Sequence, residues 1–273
     1  MAVPSERSDF VPVIVSRLEK LGGKVLRASP TRGSNVEGAE GAFVAGMRGM
    51  LARYVGAEIA IRRLDGDQHE ELRTLLPHIA RIGTVVSVDM YVSAFLFGAW
   101  SSFETLVYAA NGIGRVLDHA GFAQPGSGIS PHHVLGRTPP AKPAPPLPGY
   151  ERTLPEFSAA MRTREQFLSD LKDQHDVSKH RHAVTPTGEI DVSFLNALAP
   201  EIRDALTPRA LHYGSWRKLG LSRDVRTVGP RAPNKPALPA RPLDEFVLGW
   251  REALHATLAA LERDLRRIDG DGA

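Results

Sequence analysis

Apolar residues recur at intervals of three and four over most of the chain, which is the period of a helix with one buried face. The last helix shows it most clearly, because its apolar residues follow spacings of four, four, three, four and three: Trp250, Leu254, Leu258, Leu261, Leu265 and Ile268. Asp244 is suitably placed to cap its start. The segment 85–119 is apolar on most of its surface, which predicts a central helix.

The same period predicts further helices in both halves of the chain: 10–21, 39–64, 68–82, 156–182, 191–198 and 201–211. Gly22 and Gly23 are expected to end the first helix, and 31–38 to form a loop. Three glycines lie inside the predicted helix 39–64: Gly46, Gly49 and Gly56. Each weakens a helix by about 1 kcal/mol relative to alanine, so close packing against a neighbour is expected to offset them. A short extended excursion is expected at 183–192.

Prolines cluster in two stretches, 123–155 and 229–242. Each proline lacks a backbone donor and disfavours helical geometry in the residue before it, so both stretches are predicted to be non-helical surface loops. The sequence therefore predicts an all-α helical bundle with long proline-rich surface loops, formed as a single helical domain over 1–273.

Composition limits the partners and the cellular compartments that the sequence predicts. Lys and Arg exceed Asp and Glu by only three, which is too small an excess to indicate a partner such as duplex DNA. The absence of cysteine excludes disulfides and thiolate chemistry and favours a reducing compartment, for which the cytoplasm is the simplest assignment. No signal peptide is expected at the start of the chain. The apolar stretch 92–110 carries Glu104 and several hydroxyls, so we expect a buried core helix and no membrane partner.

The central helix carries a stripe of polar residues at helical spacing: Ser101, Glu104, Tyr108, Asn111, Arg115 and Asp118. An unpaired buried carboxylate would cost several kcal/mol or raise its own pKa. Glu104 and Asn111 therefore either hydrogen-bond to the histidine-rich segment described next, inside the bundle, or face solvent with the rest of the stripe.

The buried face predicted for the helix 156–182 becomes polar toward its end, where the sequence of residues 174–182 is Gln-His-Asp-Val-Ser-Lys-His-Arg-His. Several interpretations stay open. The segment is a solvated helix end, a ligand or RNA contact, or a metal site in which Asp176 and His180 act with His175 or His182. As acid–base machinery, His180 would exchange a proton while Lys179 or Arg181 stabilised anionic charge.

At these residues the chain resembles the HEPN superfamily, whose members are α-helical bundles and include many metal-independent ribonucleases of toxin–antitoxin and antiphage systems. The resemblance rests on the helix 91–117, with Glu104 inside it, and on the run 175–180. The nuclease motif of the family is an arginine, usually followed by a polar residue, and a histidine after four to six intervening positions. His180 matches the histidine and Asp176 the polar residue. His175 stands where the family has arginine. Its imidazole lacks the permanent charge and the paired N–H donors with which a guanidinium contacts a phosphate.

The resemblance implies an RNA partner and, if cleavage is retained, attack of a 2′-hydroxyl on the adjacent phosphate without metal or other cofactor. His180 and His175 would be catalytic with Lys179 and Arg181, supported by Glu104, Asn111, Asp176 and His182. Active sites of this family commonly form across a dimer, which implies a homodimer. The alternative is a non-enzymatic module whose proline-rich loops and helical bundle bind a protein partner.

Overall fold

The computed structural model describes residues 10–28, 34–65, 83–124, 128–137, 142–180, 184–187, 224–227 and 241–270. These residues are predominantly helical, which confirms the all-α prediction. In chain order the helices are α1 Phe10–Ala28, α2 Ser34–Asp65, α3 Gly83–Leu117, a 3₁₀ turn His119–Gly121, α4 His132–Leu135, α5 Pro148–Thr153, α6 Pro155–Arg162, α7 Glu165–His180 and α8 Leu243–Asp269.

Three short strands accompany the helices: β1 Val184–Thr187, β2 Asp224–Thr227 and β3 Arg241–Pro242. They form an antiparallel sheet in the order β1-β2-β3, in which Val184 pairs with Thr227 and Asp224 pairs with Pro242. β1 lies within 183–192, where the sequence predicts an extended excursion. β3 lies within the second proline-rich stretch, and the remainder of that stretch is outside the described residues, as are the helices predicted at 68–82, 191–198 and 201–211.

The described residues belong to two compact units, and the single helical domain predicted over 1–273 stays a prediction. The first unit contains all of α1 and of α4 to α6. It also contains parts of four longer helices: α2 up to Tyr54, α3 from Ser101, α7 up to Leu168 and α8 from Trp250. The second contains α2 from Val55, α3 up to Trp100, α7 from Ser169, the sheet and α8 up to Gly249.

In the first unit, α1 and α8 lie side by side and run parallel. The rings of Phe10 and His255 are 4.5 Å apart between centroids, and Arg17 Nη2 lies 3.0 Å from Glu262 Oε2. One heptad further along, Lys24 pairs with Asp269. Because both helices advance by seven residues between contacts, the offset between partners stays at 245. The buried face of α1 follows spacings of three and four: Val11, Ile14, Val15, Leu18, Gly22, Val25 and Leu26.

The predicted end of the first helix at Gly22 and Gly23 is wrong, because α1 continues to Ala28. Both glycines are buried, and a Cβ atom on Gly22 would lie 2.2 Å from Cε1 of Phe43. The missing side chain therefore makes room for an aromatic ring instead of turning the chain. The loop predicted at 31–38 is also partly wrong, since α2 begins at Ser34.

The glycines of α2 behave as the sequence predicts in the first unit. A Cβ on Gly46 would lie 2.7 Å from the Cβ of Ala109, and one on Gly49 would lie 3.5 Å from Thr105. From the other side, a Cβ on Gly112 would lie 3.3 Å from Ala42. Glycine therefore permits the close approach of α2 and α3, which confirms the expected packing at Gly46 and Gly49. The prediction is wrong at Gly56, which is exposed and would have nothing within 4 Å of a Cβ.

The first proline-rich stretch contains short helices, so the prediction that 123–155 is non-helical is wrong. Pro148 and Pro155 stand at the first positions of α5 and α6. A helix leaves its first N–H groups without intrahelical partners, so proline loses nothing at that position and its fixed φ favours the helix. Between α4 and α5, Arg137 and Ala144 form an antiparallel bridge.

The helix predicted at 156–182 is two helices, α6 and α7, separated by a turn at Thr163 and Arg164. The start of α6 is capped from a distant part of the chain. The carboxylate of Asp264 on α8 accepts hydrogen bonds from the backbone N–H groups of Phe157 at 2.9 Å and Glu156 at 3.3 Å. Asp264 is fully buried, and burial raises the pKa of its carboxyl although these N–H groups and Arg267 act in the opposite direction.

α3 matches the central helix predicted at 85–119. Its buried residues within 92–110 include Phe95, Leu96, Phe103, Leu106 and Val107. Among the helices that the structure describes, none has the length and apolarity needed to cross a membrane.

Candidate functional site

As far as His175, α7 is buried on the face that the sequence predicts. Leu168 and Leu171 are buried, and His175 continues their spacing with only 4% of its surface exposed. Gln174 beside it is 3% exposed. The histidine-rich segment therefore begins inside the protein, which contradicts a fully solvated helix end for this part of it.

Asp176 connects two cationic or protonatable side chains on α7. Its Oδ1 lies 3.2 Å from Nδ1 of His175, and its Oδ2 forms an ion pair with Lys172, one turn earlier in the helix. Burial alone would raise the pKa of the carboxyl. The hydrogen bond from His175 and the hydrogen bond and charge of Lys172 outweigh burial, and the pKa of Asp176 is lowered to about 2. The carboxylate is therefore ionised at neutral pH.

An ionised carboxylate only accepts hydrogen bonds, so the proton of the His175–Asp176 contact lies on Nδ1 of the imidazole. Asp176 thereby selects the tautomer of His175, the role that carboxylates play beside histidines in many active sites. In the neutral imidazole, Nε2 then carries the lone pair. His175 is oriented as a base, although its buried position limits what it can reach.

Two aromatic residues of α3 lie beside the imidazole within the second unit. The ring centroid of His175 is 5.9 Å from that of Phe97 and 6.4 Å from that of Trp100. Trp100 is buried, whereas Phe97 is 49% exposed. His175 therefore lies between a core tryptophan and a ring that reaches the surface.

Gln174 adds an acceptor with no hydrogen bond in the described part of the chain, since its buried Oε1 has no donor there. Leaving a buried acceptor unsatisfied costs about 1–3 kcal/mol. At a position that serves only core packing, an apolar residue of the same shape would avoid this cost. The unsatisfied oxygen of Gln174 is therefore more consistent with a binding site than with core packing.

The remaining predicted residues of the segment lie at or beyond the end of α7. Lys179 and His180 are the last two residues of the helix, and their side chains are outside the described residues, as are Arg181 and His182. The helix places His180 one turn after Asp176, on the same face. The catalytic roles of His180, Lys179 and Arg181 stay predictions.

Asn111 is buried and hydrogen-bonds to residues outside the histidine-rich segment, which differs from both roles that the sequence predicts, a contact with that segment or exposure to solvent. Its Nδ2 donates to the carbonyl of Ala123 at 3.1 Å, and its Oδ1 accepts from the N–H of Ala123 at 2.9 Å and from the hydroxyl of Tyr150 at 3.4 Å. Asn111 and Tyr150 are buried, and burial raises the pKa of the Tyr150 phenol far above its ordinary value. Asn111 therefore anchors the segment after α3 to the helical core of the first unit.

The other stripe residues differ in exposure, so the stripe is not one solvent-facing surface. Ser101 is buried, Glu104 is half-buried and Tyr108 is 42% exposed. Arg115 donates to the carbonyl of Ala123 at 2.9 Å, beside Asn111, and Asp118 forms an ion pair with Arg152 of α5.

Sequence reasoning missed Lys172, Phe97 and Trp100. Lys172 has a detectable signal, because it stands four residues before Asp176 and such pairs meet on a helix surface. No sequence signal indicates Phe97 and Trp100, since their contacts with His175 join segments 75 or more residues apart.

In the described residues no three His, Asp or Glu side chains form a group that could hold a metal ion. Comparison with models of protein families, with curated proteins and with solved structures finds no match for this chain.

Proposed function

We propose that the protein is a HEPN-like helical protein of the cytoplasm that contacts RNA through the end of α7. The observation that supports the proposal is the Lys172–Asp176–His175 network, which fixes the side chains of the turn directly before Lys179 and His180. Groups that handle RNA have to be held in a defined orientation, and a hydrogen-bonded shell behind them provides it.

In this proposal RNA binding comes first and cleavage second. The His175 side chain is only 6% exposed, so it positions the helix end and does not contact a phosphate as the family's arginine does. Lys179 and Arg181 offset phosphate charge, and His180 takes the proton of an attacking 2′-hydroxyl. As the 2′-oxygen bonds to phosphorus, the bond from phosphorus to the 5′-oxygen of the next nucleotide breaks, and this leaving oxygen takes a proton from water. Without a guanidinium at position 175, the charge that develops on the phosphate is less well stabilised, and we expect cleavage to be slow.

The test measures RNA affinity and RNA degradation in the presence of EDTA for the wild type, His180→Ala and His119→Ala. His119 is an exposed histidine of the 3₁₀ turn and controls for loss of an imidazole. We expect His180→Ala to weaken binding about tenfold, which corresponds to about 1.4 kcal/mol, and to abolish any cleavage. His119→Ala should behave as the wild type. Equal affinities for all three proteins, or no binding by the wild type, would remove the proposal.

The alternative function, binding of a protein partner, is favoured by exposed apolar residues in the second unit. Met90 and Phe97 stand seven residues apart on α3, and Val55 and Ile59 stand four apart on α2, with exposures between 42% and 52%. Methionine and aromatic residues are enriched at protein interfaces. The simplest partner is a second copy of the chain, which would also supply the homodimer that the resemblance implies.

This alternative is tested by light scattering after size-exclusion chromatography. The wild type is expected to have twice the chain mass of 29.7 kDa, and Ile59→Glu with Met90→Glu to have the mass of one chain. Val13→Glu, at an exposed apolar residue of α1, serves as the control and should leave the mass unchanged. A wild type of single-chain mass at micromolar concentration rejects self-association.

A further inference from the structure

A row of cations follows one side of α1. Arg17, Lys20, Lys24 and Arg27 are spaced three, four and three residues apart, and all four are exposed. On α8, Arg263, Arg266 and Arg267 are also exposed. We call these seven side chains the basic face.

The two helices bring their cations together in the first unit. Arg17 of α1 and Arg266 of α8 both pair with Glu262, at 3.0 Å and 2.8 Å. Packed helix axes lie about 8–10 Å apart, so the cations form two neighbouring rows. Between Arg17 and Arg27 the row on α1 is about 15 Å long at the helical rise per residue.

Two of the carboxylates that pair with the basic face are largely buried, whereas Glu40 beside Arg27 and Glu156 beside Arg263 are partly exposed. The Glu262 side chain is 11% exposed, and that of Asp269 is 3% exposed. Their partners Arg17, Lys24 and Arg266 are between 52% and 56% exposed. A guanidinium has five donors and an ammonium three, so one ion pair does not use all the donors of an exposed cation.

Compensation of helix dipoles does not explain the whole basic face. Cations are favoured in the last turn of a helix, which accounts for Arg27, Arg266 and Arg267. Arg17 and Lys20 stand eleven and eight residues before Ala28, at the end of α1, and the dipole effect is confined to the last turn. Lys24 and Arg263 also lie before the last turns of their helices. The helix dipole therefore leaves four of the seven cations unexplained.

We propose that the basic face binds the phosphate backbone of a nucleic acid. Five of its seven cations are arginines, whose planar fork matches a phosphate better than a lysine ammonium does. Within the described residues, the exposed large apolar side chains include none from 17–28 or 262–270. A protein interface would need an apolar core, and a membrane-surface helix would need an apolar face free to insert, whereas the apolar face of α1 is buried in the bundle. This inference does not rest on the proposed role of α7.

The test uses variants that remove charge without exposing a buried carboxylate. Lys20→Gln, Arg27→Gln and Arg263→Gln are combined, because the partners of Arg27 and Arg263 are Glu40 and Glu156, which are 37% and 53% exposed. The control combines Arg62→Gln, Arg137→Gln and Lys142→Gln, three exposed cations elsewhere on the chain. Both variants change the net charge equally.

Affinity for a labelled 20-nucleotide single-stranded RNA, and for a duplex DNA of the same length, is measured by fluorescence anisotropy over a range of salt concentrations. Each lost phosphate contact lowers the slope of log K against log salt by about 0.7 for single strands and 0.9 for duplex DNA. We expect the basic-face variant to lose about 2 from this slope and at least tenfold in affinity at low salt for one or both probes, with the control unchanged.

Each of the following results would overturn the inference: no salt-dependent binding of either probe by the wild type, an equal loss in the control, or an unchanged slope in the basic-face variant. Thermal unfolding of each variant shows whether it is folded. The same measurement in a His180→Ala background separates the two proposals. If the basic face acts independently of His180, its three substitutions still lower the slope of log K against log salt in the His180→Ala background. Loss of this effect in that background also overturns the inference.

Discussion

At the scale of single residues, Asp176 shows how one carboxylate sets the state of its neighbours. Its pKa in the folded protein is about 2, against an ordinary value of 3.8. A depressed carboxyl pKa contributes stability that is present above about pH 4 and is lost as the pH falls through 2. The side chain is 39% exposed, so solvent screening reduces the contribution to about 1 kcal/mol.

We therefore expect Asp176→Asn to lower the free energy of unfolding by about 1 kcal/mol at pH 7, with a difference that shrinks as the pH approaches 2. Urea unfolding at a series of pH values measures it. Glu252→Gln, at an exposed carboxylate of α8, is the control and should change stability by less than about 0.5 kcal/mol. A difference that does not vary with pH would show that the interactions of Asp176 do not depend on its charge.

Asp264 is the second residue with a strong expected effect. Asp264→Ala removes the acceptor of two backbone N–H groups at the start of α6 and leaves both without a partner. We expect a loss of about 2–3 kcal/mol in the free energy of unfolding, and a smaller loss for Asp264→Asn, which keeps one acceptor oxygen. Chemical denaturation of both variants measures the losses. Equal losses would mean that the negative charge matters more than the hydrogen bonds.

These two aspartates differ in how far the sequence predicts them. Asp176 is singled out by its position beside His175 and one turn after Lys172, because spacing along one helix implies contact. Asp264 caps a helix that begins 109 residues earlier, and capping rules apply to residues next to the helix in the sequence. Nothing local to Pro155 or to Asp264 indicates that they meet.

At the scale of elements, two glycines of α2 allow the effect of packing on stability to be measured separately from intrinsic helix propensity. A Cβ on Gly46 would lie 2.7 Å from the Cβ of Ala109, whereas a Cβ on Gly56 would have nothing within 4 Å. We expect Gly46→Ala to lower stability by about 1–3 kcal/mol through overpacking, although alanine is the better helix former. Gly56→Ala should raise stability by about 1 kcal/mol. Thermal unfolding of the two variants measures both changes, and a stabilised Gly46→Ala would mean that α2 and α3 can move apart.

Helix ends were predicted less well than helix faces. Gly22 and Gly23 do not end α1, because the burial of Val25 and Leu26 beyond them outweighs about 1 kcal/mol for each glycine. Pro148 and Pro155 begin helices instead of excluding them, since the first turn tolerates proline. The break at Thr163 and Arg164 has no glycine or proline to indicate it.

At the scale of the whole molecule, the fold of the first unit depends on contacts between distant parts of the chain. Leu18 is fully buried on the apolar face of α1, next to Arg17, which contacts α8. We expect Leu18→Ala to lower stability by about 2–5 kcal/mol. Hydrogen exchange should accelerate in α1 and in the part of α8 from Trp250 onward, because Phe10, Arg17 and Lys24 of α1 contact α8 over two heptads.

Val13→Ala is the matched control on α1, since Val13 is 54% exposed and its truncation leaves no cavity. Its stability should change by less than about 0.5 kcal/mol. Faster exchange confined to α1 in Leu18→Ala would show that α8 is held by its other contacts alone.

The sequence predicts which face of each helix is buried, but not which helix it meets. The period of three and four identified the buried side of α8, yet its parallel contact with α1 has no sequence signature because heptad spacing fits many partners. The basic face was missed for the same reason. A net charge of +3 spread over 273 residues gives no sign of seven cations gathered on two helices that are adjacent only after folding.

The pairing of α1 with α8 also has a consequence for synthesis on the ribosome. About 215 residues separate Ala28 from Leu243, and at about 5–20 residues per second their translation takes about 10–40 s. During that interval α1 has been made, while the helix that contacts Phe10, Arg17 and Lys24 has not. We therefore expect completion of the first unit to wait until α8 has been synthesised.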